Sequence, residues 1–545
     1  MLRIINGQVY DPVNGISGET RDIYIRDKKI FAGSVSPDIE TIDAKGCVIM
    51  PGGVEIHSHV AGAKVNNGRI LCPEDSADHY RIHTETARSG CSGIVPTTFM
   101  TGYEYARLGY TTLFEAAVPP LKARHAHEEL RDTPLMDTGC YTVMGNNYLV
   151  MKALRDQDQQ SKREKLRGVV SWLLNSTKGY AVKIVNPGGV ENWKWNRVAI
   201  DLDTPVPPFD VTPRMIMTEL ARVTDEMKLP HSIHLHTNHL GEPGNMAYTL
   251  ETMKALSGYR AHFTHLQFHS YDKSKKGGFA SGARTIAEYF NSHPEFTCDA
   301  GMIVFGPTMT MTADAPMAFS LHQMRGGKWS NMDIEMETGS GVVPIKYQPG
   351  VLANAVQWCV GLELMLLIDD PWRVFLSTDH PNAGHFTSYP LLIRLLMDRD
   401  YRLSWFEKLH PKVREYTCLH ELTREYTLEE IAIITRCGPA KALGLKNKGH
   451  LGEGADADAA IYPVCKDKQV MFSSVKYLIK DGNIVFRDGV IKESYSGRAI
   501  GLDIREKAGL SPDLKEYFEQ YSTVAFANYK VEEEYTPGAE LVRCG

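Results

Sequence analysis

Apolar and polar residues alternate along the N-terminal part of the chain, in short runs separated by glycine and Asp-Lys turns. A period of two is typical of β-strands with one buried face. The same pattern returns after Gly438, in the runs GADADAAIYPV and VKYLIKDGNIVFRDG. We therefore predict a small β-sandwich built from both chain ends, residues 1–51 and 438–500.

The middle of the chain, residues 52–437, alternates strand-like runs with segments that suit helices. The strand-like runs are GVEIHSH, CSGIVPTT, GCYTVMGNN, YAVKIVNP, HSIHLHTN, AHFTHLQ, FTCDAGMIVFG and RVFLSTDHP. Between them lie segments such as TPRMIMTELARVTDEM, with Thr212 as its candidate N-cap. Strands that alternate with helices indicate βα units around a parallel sheet, and eight units match a (β/α)8 barrel. The predicted fold class is therefore α/β, a TIM barrel with a β-sandwich domain.

Two segments fall outside this repeat. Residues 307–372 separate the seventh and eighth runs by far more than an ordinary βα loop. We predict that this insertion is a lid, a substrate-binding element or a partner surface. Residues 501–545 form a polar C-terminal extension, whose role the pattern does not reveal.

Composition excludes several classes of function. The formal net charge of -6 gives no reason to expect nucleic acid as a partner. No signal peptide and no apolar run of membrane-spanning length are visible, so we expect a cytoplasmic protein with no membrane partner. The ten cysteines include no CxxC pair, which favours reduced thiols over an iron–sulfur site.

Candidate metal ligands fall at the ends of the first, fifth, sixth and eighth runs. They are His57 and His59 in an HxH pair, His236 in HLHTN, His265 in THLQ and Asp379 in STDHP. Barrel enzymes assemble their active sites at the carboxyl ends of strands, and imidazole and carboxylate are suitable zinc ligands. The four positions together predict a metal site at the mouth of the barrel.

The register of two runs leaves alternatives open. His234 shares a strand face with His236, because side chains alternate with a period of two. The segment HFTHLQFHS offers His262 and His269 beside His265. At this point the choice of His236 and His265 depends on strand register.

Lys183 is unusual because it lies inside the apolar run YAVKIVNP. A buried lysine loses hydration energy, so it either pairs with a carboxylate or shifts toward its neutral form. A neutral amine can capture carbon dioxide and become a carbamate, which could bridge two zinc ions. We predict that Lys183 is such an N6-carboxylysine, with the plain ion pair as the alternative.

These motifs resemble a known family. HxH after PGGVE, the lysine of the fourth run, the two later histidines and TDHP resemble the amidohydrolase superfamily. AVKIVNPGG, HLGEPGN, THLQFHSY, TMTADAP, ETGSG and STDHPNAGHFTSYP more closely resemble the A-type subunit of formylmethanofuran dehydrogenases and of bacterial formyltransferase/hydrolase complexes. The resemblance covers nearly the whole chain. It implies two zinc ions with the ligands His57, His59, Lys183, His236, His265 and Asp379, and Asp379 as the catalytic acid and base.

The resemblance also implies a reaction and partners. The reaction would be reversible hydrolysis of the N-formyl amide of formylmethanofuran to formate and methanofuran, within a multisubunit complex of one-carbon metabolism. That complex would be either a hydrolase that releases formate or a dehydrogenase that fixes formate onto methanofuran. Two other classes stay open: a cyclic-amide hydrolase resembling dihydropyrimidinase or dihydroorotase, and a metal-free scaffold protein. Retention of all six candidate residues argues against the scaffold.

Overall fold

The centre of the molecule is an eight-stranded parallel barrel, seen in a computed structural model of the chain. The structure describes residues 1–33, 39–76, 79, 81–196, 201–275, 279–333, 335–504 and 509–545. The barrel strands, numbered 1 to 8 in chain order, are Gly53–Ser58, Tyr110–Val118, Asp137–Val143, Ala181–Val185, Ile233–His236, Ala261–Phe263, Phe296–Asp299 and Val374–Phe375. A bridge between Ser58 and His380 joins the first strand to the segment after the last and closes the barrel. The predicted fold class is confirmed.

Helices connect successive barrel strands and cover the outside of the barrel. They are Ala63–Leu71, Thr98–Arg107, Ala123–Arg131, Tyr148–Leu154, Gln159–Thr177, Gly189–Lys194, Pro213–Glu226, Met246–Ala255, Ala283–Asn291, Ala315–Arg325 and Leu352–Leu367, followed after the last strand by Tyr389–Met397, Arg399–Phe406, Leu428–Ala432 and Gly438–Leu443. Thr212 caps the helix Pro213–Glu226 as predicted, because its side chain accepts a hydrogen bond from Met215 N over 3.2 Å. Among the described helices, none is both long and apolar enough to cross a lipid bilayer.

The second predicted strand was wrong. Only Cys91 of the run CSGIVPTT lies in a strand, the two-residue strand Gly90–Cys91, and a helix begins at Thr98. Pro96 has no N–H to donate to a sheet, which disfavours a central strand here. Strand 2 is instead Tyr110–Val118, which is buried along its whole length. Its alanines and Glu115 hid it from a search for Val, Ile, Phe and Thr.

The insertion, residues 307–372, begins with a three-stranded antiparallel sheet and a helix. Its strands are Gly306–Thr312, Ser330–Met332 and Ser340–Tyr347. The helix Ala315–Arg325 follows the first of these strands, and a second helix, Leu352–Leu367, returns the chain to strand 8. The sheet and the first helix contribute side chains to the wall of the cavity at the barrel mouth.

A second sheet combines both chain ends, as predicted. Its strands are Leu2–Asp11, Ile16–Arg26, Lys29–Ile30, Glu40–Asp43, Cys47–Pro51, Ala459–Pro463, Tyr477–Lys480, Asn483–Arg487 and Val490–Ile491. The two ends meet where Cys47–Pro51 pairs antiparallel with Ala459–Pro463. Apolar side chains of the sheet, including Ile4, Ile49 and Ile461, form a core separate from that of the barrel. The domain limits given above remain predictions.

A buried ionic cluster connects this sheet to the barrel. Asp137, at the start of strand 3, has Oδ2 2.5 Å from Lys448 Nζ and 2.9 Å from Lys480 Nζ. Arg498 Nη2 lies 3.2 Å from the same oxygen. Because each buried charge has an opposite partner, the cluster avoids the cost of an isolated buried ion.

The C-terminal extension lies along the barrel's outer helices and reaches the insertion. Ile500–Asp503 pairs in parallel with Glu540–Arg543. Trp172 of the helix Gln159–Thr177 stacks with Phe526 and Tyr529, at centroid distances of 5.3 and 5.0 Å. The Tyr529 hydroxyl donates to the buried Glu337 carboxyl of the insertion.

Candidate active site at the mouth of the barrel

The structure brings all six predicted site residues to one cavity of about 690 Å³ at the carboxyl ends of the barrel strands. They are His57, His59, Lys183, His236, His265 and Asp379. None of these residues is more than 5% exposed. The cavity therefore gathers nitrogen and oxygen donors from strands 1, 4, 5, 6 and 8 where water has little access.

On one side of the cavity, His57 and His59 both contact the Asp379 carboxylate. Its Oδ1 lies 2.9 Å from Nε2 of His57 and 3.3 Å from Nε2 of His59. Burial favours the neutral acid, but His265 and His57 outweigh burial and hold the pKa of Asp379 well below its ordinary value. Asp379 is therefore a carboxylate, and Asn382 Nδ2 donates to Oδ1 over 2.9 Å.

Glu115 of strand 2 determines which nitrogen of His59 carries hydrogen. Its Oε1 lies 3.1 Å from Nδ1 of His59 and accepts from Lys64 Nζ over 2.7 Å. Burial would raise the pKa of Glu115, but Lys64 and His59 lower it to about 2, so the group is ionised. A carboxylate can only accept, so Nδ1 of His59 donates and Nε2 presents a lone pair to Asp379.

A hydrogen-bonded column of histidines, His231 and His234, determines which nitrogen of His57 carries hydrogen. His231 Nδ1 lies 2.8 Å from the carbonyl oxygen of Ala442, His231 Nε2 lies 3.0 Å from His234 Nδ1, and His234 Nε2 lies 2.9 Å from His57 Nδ1. The carbonyl only accepts, so His231 must donate to it, and each neutral ring in turn accepts from the next. Burial lowers the pKa of His231 to about 3 and also lowers that of His234, which keeps both rings neutral.

The last hydrogen of the column lies on His57 Nδ1, where the Asp299 carboxylate, at 3.1 Å, also accepts. In the neutral His57 ring Nε2 is then a lone pair. Burial would lower the pKa of His57, but the Asp299 and Asp379 carboxylates raise it, so the ring favours a positive charge beside Nε2, which lies 2.9 Å from Asp379 Oδ1. Without a proton on the facing nitrogens, the ligand atoms of His57, His265 and Asp379, which lie within 4.8 Å of one another, are all acceptors. Such a group repels itself unless a cation lies between the acceptors. Donors of a tetrahedral zinc lie roughly 3.3–3.6 Å apart. The 3.3 Å between His59 Nε2 and Asp379 Oδ1 falls in this range, whereas the 2.9 Å between His57 Nε2 and Asp379 Oδ1 is shorter.

Lys183, His236 and His265 supply the other side of the cavity. The His265 ring donates from Nε2 to the Thr264 hydroxyl, 2.9 Å away, because that hydroxyl itself donates to Leu235 O. Among the described residues, no hydrogen-bond partner contacts His265 Nδ1, His236 Nε2 or Lys183 Nζ. Unpaired buried polar atoms are costly, so these three atoms fit a site that binds a positively charged group.

Lys183 is 1% exposed, and burial lowers the pKa of its amine to about 7. The plain ion pair considered for it is not formed with any described residue within hydrogen-bond reach. A neutral amine with no partner suits reaction with carbon dioxide, and the carbamate product would place an anion among the histidines.

The structure also places the histidines whose register was open. His234 and His262 point into the barrel interior, where His262 Nε2 lies 3.2 Å from Asp299 Oδ2. His236 and His265 line the cavity. His265 and Asp379 both adopt a left-handed backbone conformation, with φ of 36° and 46°. Such strained residues cluster at functional sites.

Three acidic residues of the site were missed. Glu115 lay in the strand that the sequence pattern did not identify. Asp299 lies inside the predicted run FTCDAGMIVFG, which is longer than the strand, and only the structure shows that the strand ends at this residue. Asp314 belongs to the motif TMTADAP inside the insertion, where no strand end marked it.

Comparisons with known proteins agree with this geometry. A family model described as "Amidohydrolase family" matches residues 40–486. The chain is 45% identical to protein FwdA of Methanocaldococcus jannaschii over 99% of its length and 98% of that protein. It is 39% identical to the A-type subunit of the formyltransferase/hydrolase complex Fhc of Methylorubrum extorquens, over 95% of this chain and 94% of that one.

A solved structure matches throughout. It is a chain in the crystal structure of the formyltransferase/hydrolase complex FhcABCD from Methylorubrum extorquens in complex with methylofuran. The TM-score is 0.93 at 37% sequence identity, and the match covers 100% of both chains.

Proposed function

The chain belongs to the amidohydrolase family, and from that premise we propose that it reversibly hydrolyses the N-formyl amide of formylmethanofuran to formate and methanofuran. The observation that carries the proposal is the convergence of His57 Nε2 and His59 Nε2 on the Asp379 carboxylate, beside the Lys183 amine, for which no described residue is a hydrogen-bond partner. Full-length similarity to a chain of the FhcABCD complex, which was solved with methylofuran, supports the choice of substrate.

The donors suit a pair of zinc ions. His57, His59 and Asp379 would hold one ion, His236 and His265 the other, and the Lys183 carbamate would lie between them. When bound, the two ions would lower the pKa of a shared water and polarise the formyl carbonyl.

Asp379 moves the proton in this mechanism. Its carboxylate takes a proton from the attacking water as the water oxygen bonds to the formyl carbon. The C–N bond then breaks, and Asp379 returns the proton to the nitrogen, which leaves as an amine. Asn382 fixes the carboxylate through its hydrogen bond to Oδ1. The reverse sequence condenses formate with the amine, so the direction depends on coupling to other subunits.

The rest of the cavity suits an organic substrate. Away from the histidines its wall is largely apolar, with Trp193, Phe268, Phe319 and Leu321 among its members. Asn192 and Gln357 add polar groups that could orient an amide. We propose that the chain acts within a formyltransferase/hydrolase or formylmethanofuran dehydrogenase complex. The Fhc relative is named as a subunit of such a complex, and the matched solved chain belongs to the FhcABCD complex.

The test uses the purified complex and follows formate release from formylmethanofuran, with zinc measured by elemental analysis. We expect two zinc ions per chain and turnover that chelation abolishes. Asp379→Asn should lower kcat by about 10²–10⁴-fold, the usual contribution of a general acid–base.

Hydantoin and dihydroorotate serve as comparison substrates in the same assay. Efficient turnover of either, without formate release from the formyl amide, would assign the chain to cyclic-amide hydrolysis. Fewer than one zinc per chain would instead support the scaffold alternative. An Asp379→Asn protein that keeps both zincs and full activity would contradict the proton-transfer role.

A further inference from the structure

Asp314 carries a carboxylate from the insertion into the cavity. It lies between the strand Gly306–Thr312 and the helix Ala315–Arg325 and is only 1% exposed. Its Oδ2 lies 3.3 Å from Nε2 of His236. The six residues discussed so far all come from the barrel, so Asp314 is a separate contribution to the site by the insertion.

Hydrogen bonds fix the orientation of this carboxylate. Asp314 Oδ1 accepts from Asn186 Nδ2 over 2.9 Å and from Met317 N over 3.2 Å. Asn186 is held in turn, because its Oδ1 accepts from Asn238 Nδ2 over 2.7 Å. The Tyr248 hydroxyl donates to Asn238 over 3.0 Å. Both bonds to the carboxylate use Oδ1, which leaves Oδ2 directed at the imidazole beside it.

Asp314 Oδ2 and His236 Nε2 are close but do not form a hydrogen bond, since no described group contacts His236 Nε2 with hydrogen-bond geometry. The same relation holds across the cavity, where His57 Nε2 lies 2.9 Å from Asp379 Oδ1 without a hydrogen bond. Two donor atoms that lie side by side and point into one space have the arrangement of two ligands of one cation. Their separation matches the edge of a zinc tetrahedron, roughly 3.3–3.6 Å.

We propose that Asp314 is a further ligand of the second metal, beside His236 and His265. The inference rests on the proposed function, because it adds a ligand to the proposed binuclear site. Two histidines and a shared carbamate would give that metal three protein donors, and Asp314 makes four. Asp314 also begins the helix Ala315–Arg325, whose Met317 and Met324 line the cavity. Metal binding therefore holds the cavity wall in place.

The test is Asp314→Asn in the full-length protein, within its complex if the chain requires one. Asparagine keeps the size of the side chain, the acceptor for Asn186 and the capacity to cap a helix, but it removes the charge. We expect zinc to fall from two ions to one per chain. Loss of the second zinc to a chelator should be at least about 10-fold faster, the scale found when support of a metal site is removed.

Asp158→Asn is the matched control. Asp158 also caps a helix, Gln159–Thr177, with its Oδ1 accepting from Ser161 N over 2.7 Å, and it does not line the cavity. The control should keep the wild-type zinc content and the wild-type rate of zinc loss. A general effect of removing a capping charge would alter both variants.

Hydrogen exchange of the helix Ala315–Arg325 gives a readout independent of catalysis. Chelation should accelerate exchange in the wild-type protein, whereas Asp314→Asn should exchange fast even with zinc present. An Asp314→Asn protein with two zincs, a wild-type rate of zinc loss and unchanged exchange overturns the inference alone. Wild-type protein with fewer than one zinc overturns the proposed function, and the inference with it.

Discussion

The proton positions around Asp379 follow from two groups that can only accept hydrogen bonds. Glu115 directs the hydrogen of His59 away from the cavity, and the carbonyl of Ala442 does so for His57 through His231 and His234. In both rings Nε2 is thus the nitrogen that faces the cavity and is available to a cation. These contacts fix the orientation of both rings, as hydrogen bonds to ligand histidines do in metal sites.

The lowered pKa of Lys183 predicts that zinc uptake by the metal-depleted protein depends on pH. A lysine with its pKa lowered to about 7 is mainly cationic below that pH and mainly neutral above it. Only the neutral amine bonds to carbon dioxide, and it loses a proton in forming the carbamate. Reconstitution of the metal-depleted protein with zinc should therefore require bicarbonate and accelerate as the pH rises through about 7.

Labelled bicarbonate makes this measurable, because ¹³C-carbamate has a distinct NMR signal. Lys183→Met should show neither the signal nor any effect of bicarbonate on zinc uptake. A wild-type rate that is flat from about pH 6 to about pH 8.5, or zinc uptake independent of bicarbonate, would count against the carbamate.

Single elements differed in how well the sequence revealed them. Strand 4 was clear because the apolar residues that flank Lys183 are all buried, which leaves a nearly continuous apolar run. Strand 2 was hidden because Glu115 interrupts a similar run, and the glutamate is there for its contacts with Lys64 and His59 rather than for the strand. That the histidines and Asp379 at strand ends line one cavity was predictable. Asp314 was not, because only tertiary packing of the insertion brings it to the site.

The contact between the C-terminal extension and the insertion gives a prediction for one element. Burial raises the pKa of Glu337 to about 8, against the opposing effect of its hydrogen bond from Tyr529. An unfolded glutamate releases its proton at about pH 4.3, so the folded state binds the extra proton between that pH and about 8. The stabilisation of the folded state by this proton is therefore complete below about pH 4.3, declines above that pH and is lost as the pH rises through about 8.

Glu337→Gln, which stays neutral at every pH, isolates that effect. Between about pH 6 and about pH 9 the wild-type midpoint of thermal unfolding should fall further than that of the variant. Glu335→Gln is the control, because Glu335 contacts the same extension at Thr523 but is only partly buried. Parallel pH profiles for wild type and Glu337→Gln would show that the glutamate does not titrate as described.

Across the whole molecule, the ionic cluster around Asp137 joins the barrel to the sheet of the chain ends. Asp137→Asn removes one carboxylate from Lys448 and Lys480, which both keep Asp458 as a partner, so we expect a cost of about 1.5–3 kcal/mol, the scale of a hydrogen bond to a charged group. We expect a correspondingly lower free energy of unfolding by chemical denaturation.

Lys29→Met provides the comparison. Lys29 pairs with Asp456 over 2.7 Å, but its side chain is 42% exposed, so its loss should cost less than about 1 kcal/mol. Equal losses for the two variants would mean that burial of the cluster contributes nothing. Zinc content should be the same in both, since neither residue lines the cavity.

The pairing of Cys47–Pro51 with Ala459–Pro463 has a consequence for biosynthesis. At about 5–20 residues per second, the ribosome needs roughly 20–80 s to make the residues between these partners. For that interval the early strand has an unpaired edge, and such edges promote aggregation. A nascent chain halted before residue 459 should therefore engage chaperones through its first fifty residues, and one halted beyond Val490–Ile491 should release them.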